Sequence, residues 1–262
     1  MKKTTIEALL AWAFTQELPK VGAGDGGSAV SASSWNVIAD IAALGTIIDR
    51  NPNRYGAIPG YIYEGEPAHD AVIVGEAVRA LATRGGYEIA EGWFPFPDWA
   101  DPHGLVGLEV DKVIAEQRNR SDRLSGSHVV NLVMSAAKLG RGPCWQADEP
   151  RSQVMRSSNG KDIWFVMRTV RDRTGARYIV EDNGYDAKRH RPKKGAYRKY
   201  KLESPVRGAI LSRLDWQLWQ SALQILHESL QDRLTSHTLQ EFHPDRHPWR
   251  RQEMAGKNTL SI

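Results

Sequence analysis

Apolar residues recur at helical spacing through most of the first 140 positions and change to strand-like alternation near residue 150. At the N-terminus Ile6, Leu9, Leu10, Ala13 and Phe14 share one helical face, Thr4 and Glu7 have the form of a capping box, and Pro19 stops the run. Trp35, Ile38, Ile41, Leu44 and Ile48 predict a second helix opening at Ser33 or Ser34. Ala71, Val74, Val78 and Leu81 predict a third, begun after Pro67 and ended by Gly85 and Gly86. A fourth is expected from Asp101 and Pro102 to near Arg123. A fifth should run from Ser127 to near Gly140, and its stretch "VVNLVMSAAKL" is apolar nearly all round, which suits a core position. The intervening "EGWFPFPDWADPHG" sets Trp93, Phe94, Phe96 and Trp99 among prolines that cannot continue a regular element. It reads as a loop pinned to the core by its aromatics, with a docking surface as the other use.

Past residue 150, Asn159-Gly160 is a strong hairpin signal, because a type I′ turn needs positive φ at both central residues, and "DRTGA" supplies a second turn at Gly175. The flanking Val, Ile, Trp, Phe and Tyr predict a three-stranded antiparallel meander over 152–157, 162–171 and 177–181. Along its middle strand Trp164, Val166 and Arg168 fall on one face, and Ile163, Phe165, Met167 and Thr169 on the other. Ser204-Pro205 then opens a short helix to near Leu214, and Asp215 caps a longer one with Trp216, Trp219, Leu223, Leu226 and Leu230 as a core-packing stripe. The last dozen residues read as frayed. The expected class is α+β: an acidic helical domain over 1–145, a basic region over 150–240 with meander, arm and C-terminal helix pair, and a tail over 241–262.

With 262 residues, 41% of them hydrophobic and nine Trp, the chain can bury a sizeable core, and disorder throughout is excluded. Cys144 is the lone cysteine, so no internal disulfide forms and a reduced, cytoplasmic setting is expected. No run approaches the roughly 18 apolar residues of a membrane span. The N-terminal "IEALLAWAF" holds Glu7 and lacks a small-residue cleavage site, so it reads as a helix of the mature protein.

Charge changes the picture most. Residues 1–150 hold 13 Lys+Arg against 19 Asp+Glu, residues 151–201 hold 15 against 5, and residues 202–262 balance at 7 against 7. Such a basic block points to a polyanionic partner. Its densest part, "KRHRPKKGAYRKYK", places Lys188, Arg189, Arg191, Lys193, Lys194, Arg198, Lys199 and Lys201 within fourteen positions without one Asp or Glu. A phosphate backbone would relieve their mutual repulsion and release its own counterions. Tyr197 and Tyr200 are placed to stack on a base or hydrogen-bond a phosphate, and Arg168, Arg171, Arg173 and Arg177 around the second turn extend the cationic edge. DNA or RNA is the expected partner; a solvated basic face and a dock for an acidic protein, such as a component of the transcription machinery, are the alternatives.

Other chemistries are weaker. "VGAGDGG" has dinucleotide-fingerprint spacing at Gly22, Gly24 and Gly27, but a helix rather than a strand precedes it, so it reads as a linker. His237, His243 and His247 surround Pro244 and Pro248 and read as surface histidines. Asp186-Ala187-Lys188, with Asp182 upstream, has the D-x-K form of some metal-dependent nucleases, which makes an enzyme using Asp182, Asp186 and Lys188 the alternative function. No catalytic residue, cofactor or metal ligand is assigned in the preferred reading.

The segments "IEALLAWAFTQELPK", "PAHDAVIVGEAVRAL", "DWQLWQSALQILHESLQDRL" and "HPDRHPW" resemble parts of alphaproteobacterial proteins linked to phage-like gene clusters. The resemblance implies a role like that of gene-transfer-agent activators, in transcription activation or antitermination. It carries over no functional residue.

Overall fold

The computed structural model describes residues 1–20, 66–84, 87–120, 122–171 and 173–250. The helix expected from Ser33, the Gly22–Gly27 run, the stop at Gly85 and Gly86, and the tail from residue 251 lie outside them.

In chain order, strand β1 (Lys2–Thr4) leads into helix α1 (Ile6–Trp12), which widens into a π-helical stretch, Ala13–Glu17. Helix α2 (His69–Ala80) ends in a 3₁₀ turn, Leu81–Thr83, and is followed by α3 (Leu105–Arg120) and α4 (Gly126–Leu139). Strands β2 (Ser152–Val154), β3 (Trp164–Arg171), β4 (Arg177–Asn183), β5 (Tyr185–Asp186), β6 (Arg191–Pro192), β7 (Tyr197–Arg198) and β8 (Tyr200–Leu202) come next. Helix α5 (Arg207–Leu230) and strand β9 (His237–Leu239) close the order, and the class is α+β. No helix among the described residues is long and apolar enough to cross a membrane. Two compact units are interleaved along the chain: one holds residues 1–93, 115–146 and 211–262, the other 94–114 and 147–210.

In the first unit the expected apolar faces are buried: Ile6, Leu9, Leu10, Ala13 and Phe14 along α1 and its π-helical extension, and Ala71, Val74, Val78 and Leu81 along α2 and its 3₁₀ turn. The cap of α1 is Thr5, whose hydroxyl accepts from Ala8 N–H at 3.2 Å; Thr4 is drawn instead into β1, which pairs in parallel with β9. Helix α4 starts one residue earlier than expected, at Gly126, capped by Ser125 and ended by Gly140 in the left-handed region. Of the expected stripe Trp219, Leu223, Leu226 and Leu230 are buried and Trp216 is half-buried, but there is no helix pair. Asp215 caps nothing; it lies inside α5, where its carboxylate accepts from the Arg123 guanidinium and meets His128 Nε2 at 3.0 Å. With its oxygens taken by tertiary partners, no break in the helix is needed.

The segment after α5 is held within the first unit through Asp70, whose side chain is 1% exposed. One oxygen accepts from Thr235 N–H at 2.9 Å and Thr235 Oγ1 at 2.8 Å; the other accepts from Ser236 N–H and His237 N–H at 3.0 Å and faces His237 Nδ1 at 2.9 Å. Burial alone would raise its pKa, but these hydrogen bonds outweigh that and hold the carboxyl well below the usual carboxylate range. Farther on, Asp245 N–H donates to Gln220 Oε1 at 2.8 Å and Arg246 Nε to Ser221 Oγ at 3.2 Å, laying the chain along α5 and burying Trp249.

In the second unit Phe96 is buried and stacked on Trp99 at 3.9 Å, so the aromatic-proline loop is pinned through this ring. Helix α3 begins at Leu105, not Pro102, because Gly104 turns at φ +68°; Asp101 still caps from outside, accepting from Gly107 N–H at 2.9 Å. The Asn159-Gly160 reversal is present, yet only Gly160 has positive φ, at 78°, so the turn is not type I′. Around that turn the expected first two strands meet only in an antiparallel bridge, Arg156↔Asp162, with Ile163 N–H donating to Met155 C=O at 3.0 Å; beyond it β2 pairs with β8, and the three-stranded sheet has the order β4-β3-β7 rather than that of a full meander. A turn residue dictates reversal, whereas the ladder partner is chosen by strands distant in sequence.

Asp70→Ala should cost about 3 kcal/mol, the scale of stripping a buried, multiply bonded charge from its partners. Because the folded carboxyl titrates below its ordinary value of 3.8, its contribution is complete above that pH and shrinks as pH falls below it. Chemical denaturation from neutrality to acid should therefore show a gap between wild type and variant that narrows in acid. A second comparison concerns glycines: a Cβ on Gly126 would lie 2.2 Å from Leu81 O, whereas one on Gly160 meets nothing within 4 Å. Gly126→Ala should lower the melting temperature markedly more than Gly160→Ala, whose cost is the φ penalty of about 1 kcal/mol.

Candidate nucleic-acid interface

The largest sheet of the second unit is a two-stranded ribbon with a short third strand at one end. Strands β3 and β4 pair antiparallel from Phe165↔Asn183 to Arg171↔Arg177, and β7 pairs only with Trp164 and Phe165. Past that short strand the ribbon has solvent on both faces: Met167 is 60% and Ile179 71% exposed on one, and Tyr178 is exposed on the other. A strand of eight residues spans about 25 Å, so Arg171 and Arg177 lie far along the ladder from Trp164 and β7. The basic hairpin end and the basic arm therefore form two cationic zones, not one continuous edge.

The arm folds back on itself. Strands β5 and β6 pair through Tyr185↔Pro192 and Asp186↔Arg191 around a turn in which His190 takes φ 49°. Asp186 Oδ1 accepts from Lys188 N–H at 3.0 Å and Arg189 N–H at 3.2 Å, tightening that turn. Lys193 N–H donates to Gly184 C=O at 2.8 Å and its ammonium to Asn183 C=O at 2.6 Å.

Acidic residues, most of them remote in sequence, neutralise part of the block. Lys199 Nζ lies 2.5 Å from Glu181 Oε2 and over the Phe165 ring, while Tyr197 Oη donates to Glu181 Oε1. The Lys199 ammonium first, and the Tyr197 hydroxyl second, hold the Glu181 carboxyl below its usual range; the same bond to Glu181 raises the Tyr197 phenol. Arg198 reaches Asp162 at 3.1 Å and stacks on Trp164 at 5.3 Å, Arg168 reaches Asp182 at 3.5 Å, and Arg189 lies 3.9 Å from Asp186. Tyr200 stacks on His103 at 3.6 Å. Exposed and with no carboxylate partner among the described residues remain Arg171, Arg173 and Arg177 at the ribbon end, and Lys188, Arg191, Lys193, Lys194 and Lys201 in the arm, Lys193 giving its ammonium to a backbone carbonyl instead.

No protein-family model, curated protein or solved structure matches the chain.

The fourteen residues expected to touch nucleic acid thus divide into two roles. Arg168, Tyr197, Arg198, Lys199 and Tyr200 are engaged in holding the sheet, and the remaining cations sit in the arm and at the ribbon end. Sequence reading missed Asp162, Glu181 and His103 as their partners; alternation along β4 put Glu181 on the Phe165 face, but pairing with β7 could not be read from it. For the nuclease alternative, Asp182 is turned to Arg168 and its own neighbour's N–H, Asp186 to its own turn. No group of three His, Cys, Asp or Glu side chains fit to hold a metal is assembled among the described residues. His243 pairs with Glu241, His237 with Asp70, and His247 packs edge-on to Trp249, so the three histidines do not converge.

Removing a sheet-holding cation should be felt in stability, and removing an arm cation should not. Arg198→Ala is expected to cost about 0.5–1 kcal/mol through its lost stacking on Trp164. Lys194→Ala should stay within about 0.5 kcal/mol of wild type. Urea titrations of the two variants check this, and equal losses would mean that the division into roles is wrong.

Proposed function

We propose that this protein binds nucleic acid through the second unit, with Lys188, Arg191, Lys194 and Lys201 of the arm and Arg171, Arg173 and Arg177 of the ribbon end on phosphate. The observation that carries the reading is the set of exposed cations left without carboxylate partners after the acids in reach have paired with others. Holding them bare costs self-repulsion that a polyanion removes, with counterion release as the driving force. Since Tyr197 and Tyr200 are engaged within the sheet, the exposed ring of Tyr185 beside the arm is the better platform for a base. Phosphate contacts position a protein without reading sequence, so any sequence preference would come from the ribbon's exposed faces in a groove. The role we infer is regulatory rather than enzymatic, in control of phage-type genes as the sequence resemblance implies, in the cytoplasm, where the exposed thiol of Cys144 would stay reduced.

Fluorescence anisotropy with duplex DNA, single-stranded DNA and RNA of random sequence, over a series of salt concentrations, tests the reading. With about five cations on duplex phosphate, log affinity should fall against log salt with a slope of about −4 to −5. Reversing Lys188, Arg191, Lys194 and Lys201 to Glu should abolish binding without shifting the melting temperature by more than a few degrees. A wild-type slope near zero, or unchanged affinity in the reversed variant, overturns the proposal; a slope near zero with tight capture by polyglutamate would assign the block to an acidic protein instead.

A further inference from the structure

Strand β4 is an edge: β3 covers one side of it, and no strand among the described residues covers the other. Gly184 N–H donates to Trp164 C=O at 2.8 Å, and the alternation of an antiparallel ladder then directs the N–H and C=O groups of Arg177, Ile179 and Glu181 away from β3. Among the described residues these outward groups make no hydrogen bond. Edges are usually shielded by shortness, proline, a bulge or an inward-facing charge. This one is seven residues long, "RYIVEDN", without proline, and its middle is the exposed pair Tyr178 and Ile179.

The side chains along the edge are complementary to their own reverse. We propose that β4 pairs antiparallel with β4 of a second copy of this chain, about a two-fold axis at Ile179. In that register Arg177 stands opposite Glu181 at both ends and Ile179 opposite Ile179 in the middle, all on one face. Tyr178 stands opposite Val180 twice on the other face. The residues whose backbone groups point outward, Arg177, Ile179 and Glu181, meet one another, so every pair of them exchanges hydrogen bonds. Other registers fit worse. Centring on Arg177 or Glu181 sets like charges against each other, and centring on Tyr178 or Val180 leaves one charged end facing Ile179. Opposite charges across a ladder stabilise it and like charges oppose it, so the pattern selects both the partner and the register. Glu181 retains capacity for a further donor, since a carboxylate offers about four lone-pair sites and Tyr197 and Lys199 occupy two. The three-stranded sheet of each copy becomes half of a continuous six-stranded sheet, which covers the β4 edge of each copy. The inference does not rest on the nucleic-acid reading.

Two measurements on the full chain decide it. In sedimentation equilibrium, wild type should associate to a dimer, Arg177→Glu and Glu181→Arg should each be monomeric, and the double variant R177E/E181R should dimerise again. The recovery separates pairing from misfolding, because a damaged sheet would not be repaired by a second reversal. For register, Ile179→Cys in a Cys144→Ser background should be joined into a covalent dimer by a short bifunctional thiol reagent, the two Cα atoms being about 5.5 Å apart. Thr169→Cys, on the same face but three strand spacings or about 14 Å from its counterpart, should not be joined. A wild-type chain that is monomeric at its highest soluble concentration overturns the proposal, as does a dimer in which both single reversals are silent or Ile179→Cys is not joined. Binding of polynucleotide by a monomeric chain would sink this inference and leave the nucleic-acid reading standing.

Discussion

A buried carboxylate has to be surrounded by donors or it cannot remain charged, and that constraint at Asp70 organises the first unit. Five hydrogen-bonding contacts from three successive residues, Thr235 to His237, close around it. Once that segment is captured, β9 is delivered to β1, Lys2 N–H donates to Ser236 C=O at 2.8 Å, and His237 is set against the ring of Trp12. The N-terminal strand, the first helix and the end of α5 are thereby tied by one side chain on α2. Apolar burial supplies the bulk of the stabilisation, as in any such core; the carboxylate decides which chain ends meet.

The same electrostatic logic runs in the opposite sense in the second unit, where charge is in excess and exposed. The ladder of β3 and β4 buries little, so its start is braced by aromatic rings beneath cations: Arg198 over Trp164 and Lys199 over Phe165, each also held by a carboxylate. Bracing consumes cations. What remains is divided between the arm, where Asp186 and Asn183 fix the backbone, and the far end of the ribbon. A region of high positive charge thus resolves into a scaffold fraction and a fraction open to a partner, and composition could not distinguish them because both are Lys and Arg.

The ribbon is also unusual in what it leaves exposed. Met167 and Ile179 on one face, and Tyr178 on the other, are large apolar groups exposed on the ribbon. Together with the outward backbone groups of β4 they give the second unit two kinds of unmet interaction, one ionic and one of hydrogen bonding and apolar contact. A polyanion answers the first and a second copy answers the other, with Arg177 the one cation that both would use.

Local periodicity determined much here: helices α1, α2 and α4, the buried stripe of α5, the alternation along β3, the turns at Gly160 and Gly175, and the α+β class were all legible, because spacing of apolar residues and positive-φ glycines act within a few residues. The density of cations in 188–201 was legible for the same reason. Long-range pairing decided the rest. Thr4 joined a strand because β9 lay beside it; Asp215 stayed within one helix because Arg123 and His128 took its carboxylate; β2 went to β8, and Glu181, Asp162 and Asp182 quenched cations that no acid accompanies in sequence. A carboxylate or a strand edge takes whichever partner the packed chain brings within reach, and that depends on the whole fold rather than on the residues to either side.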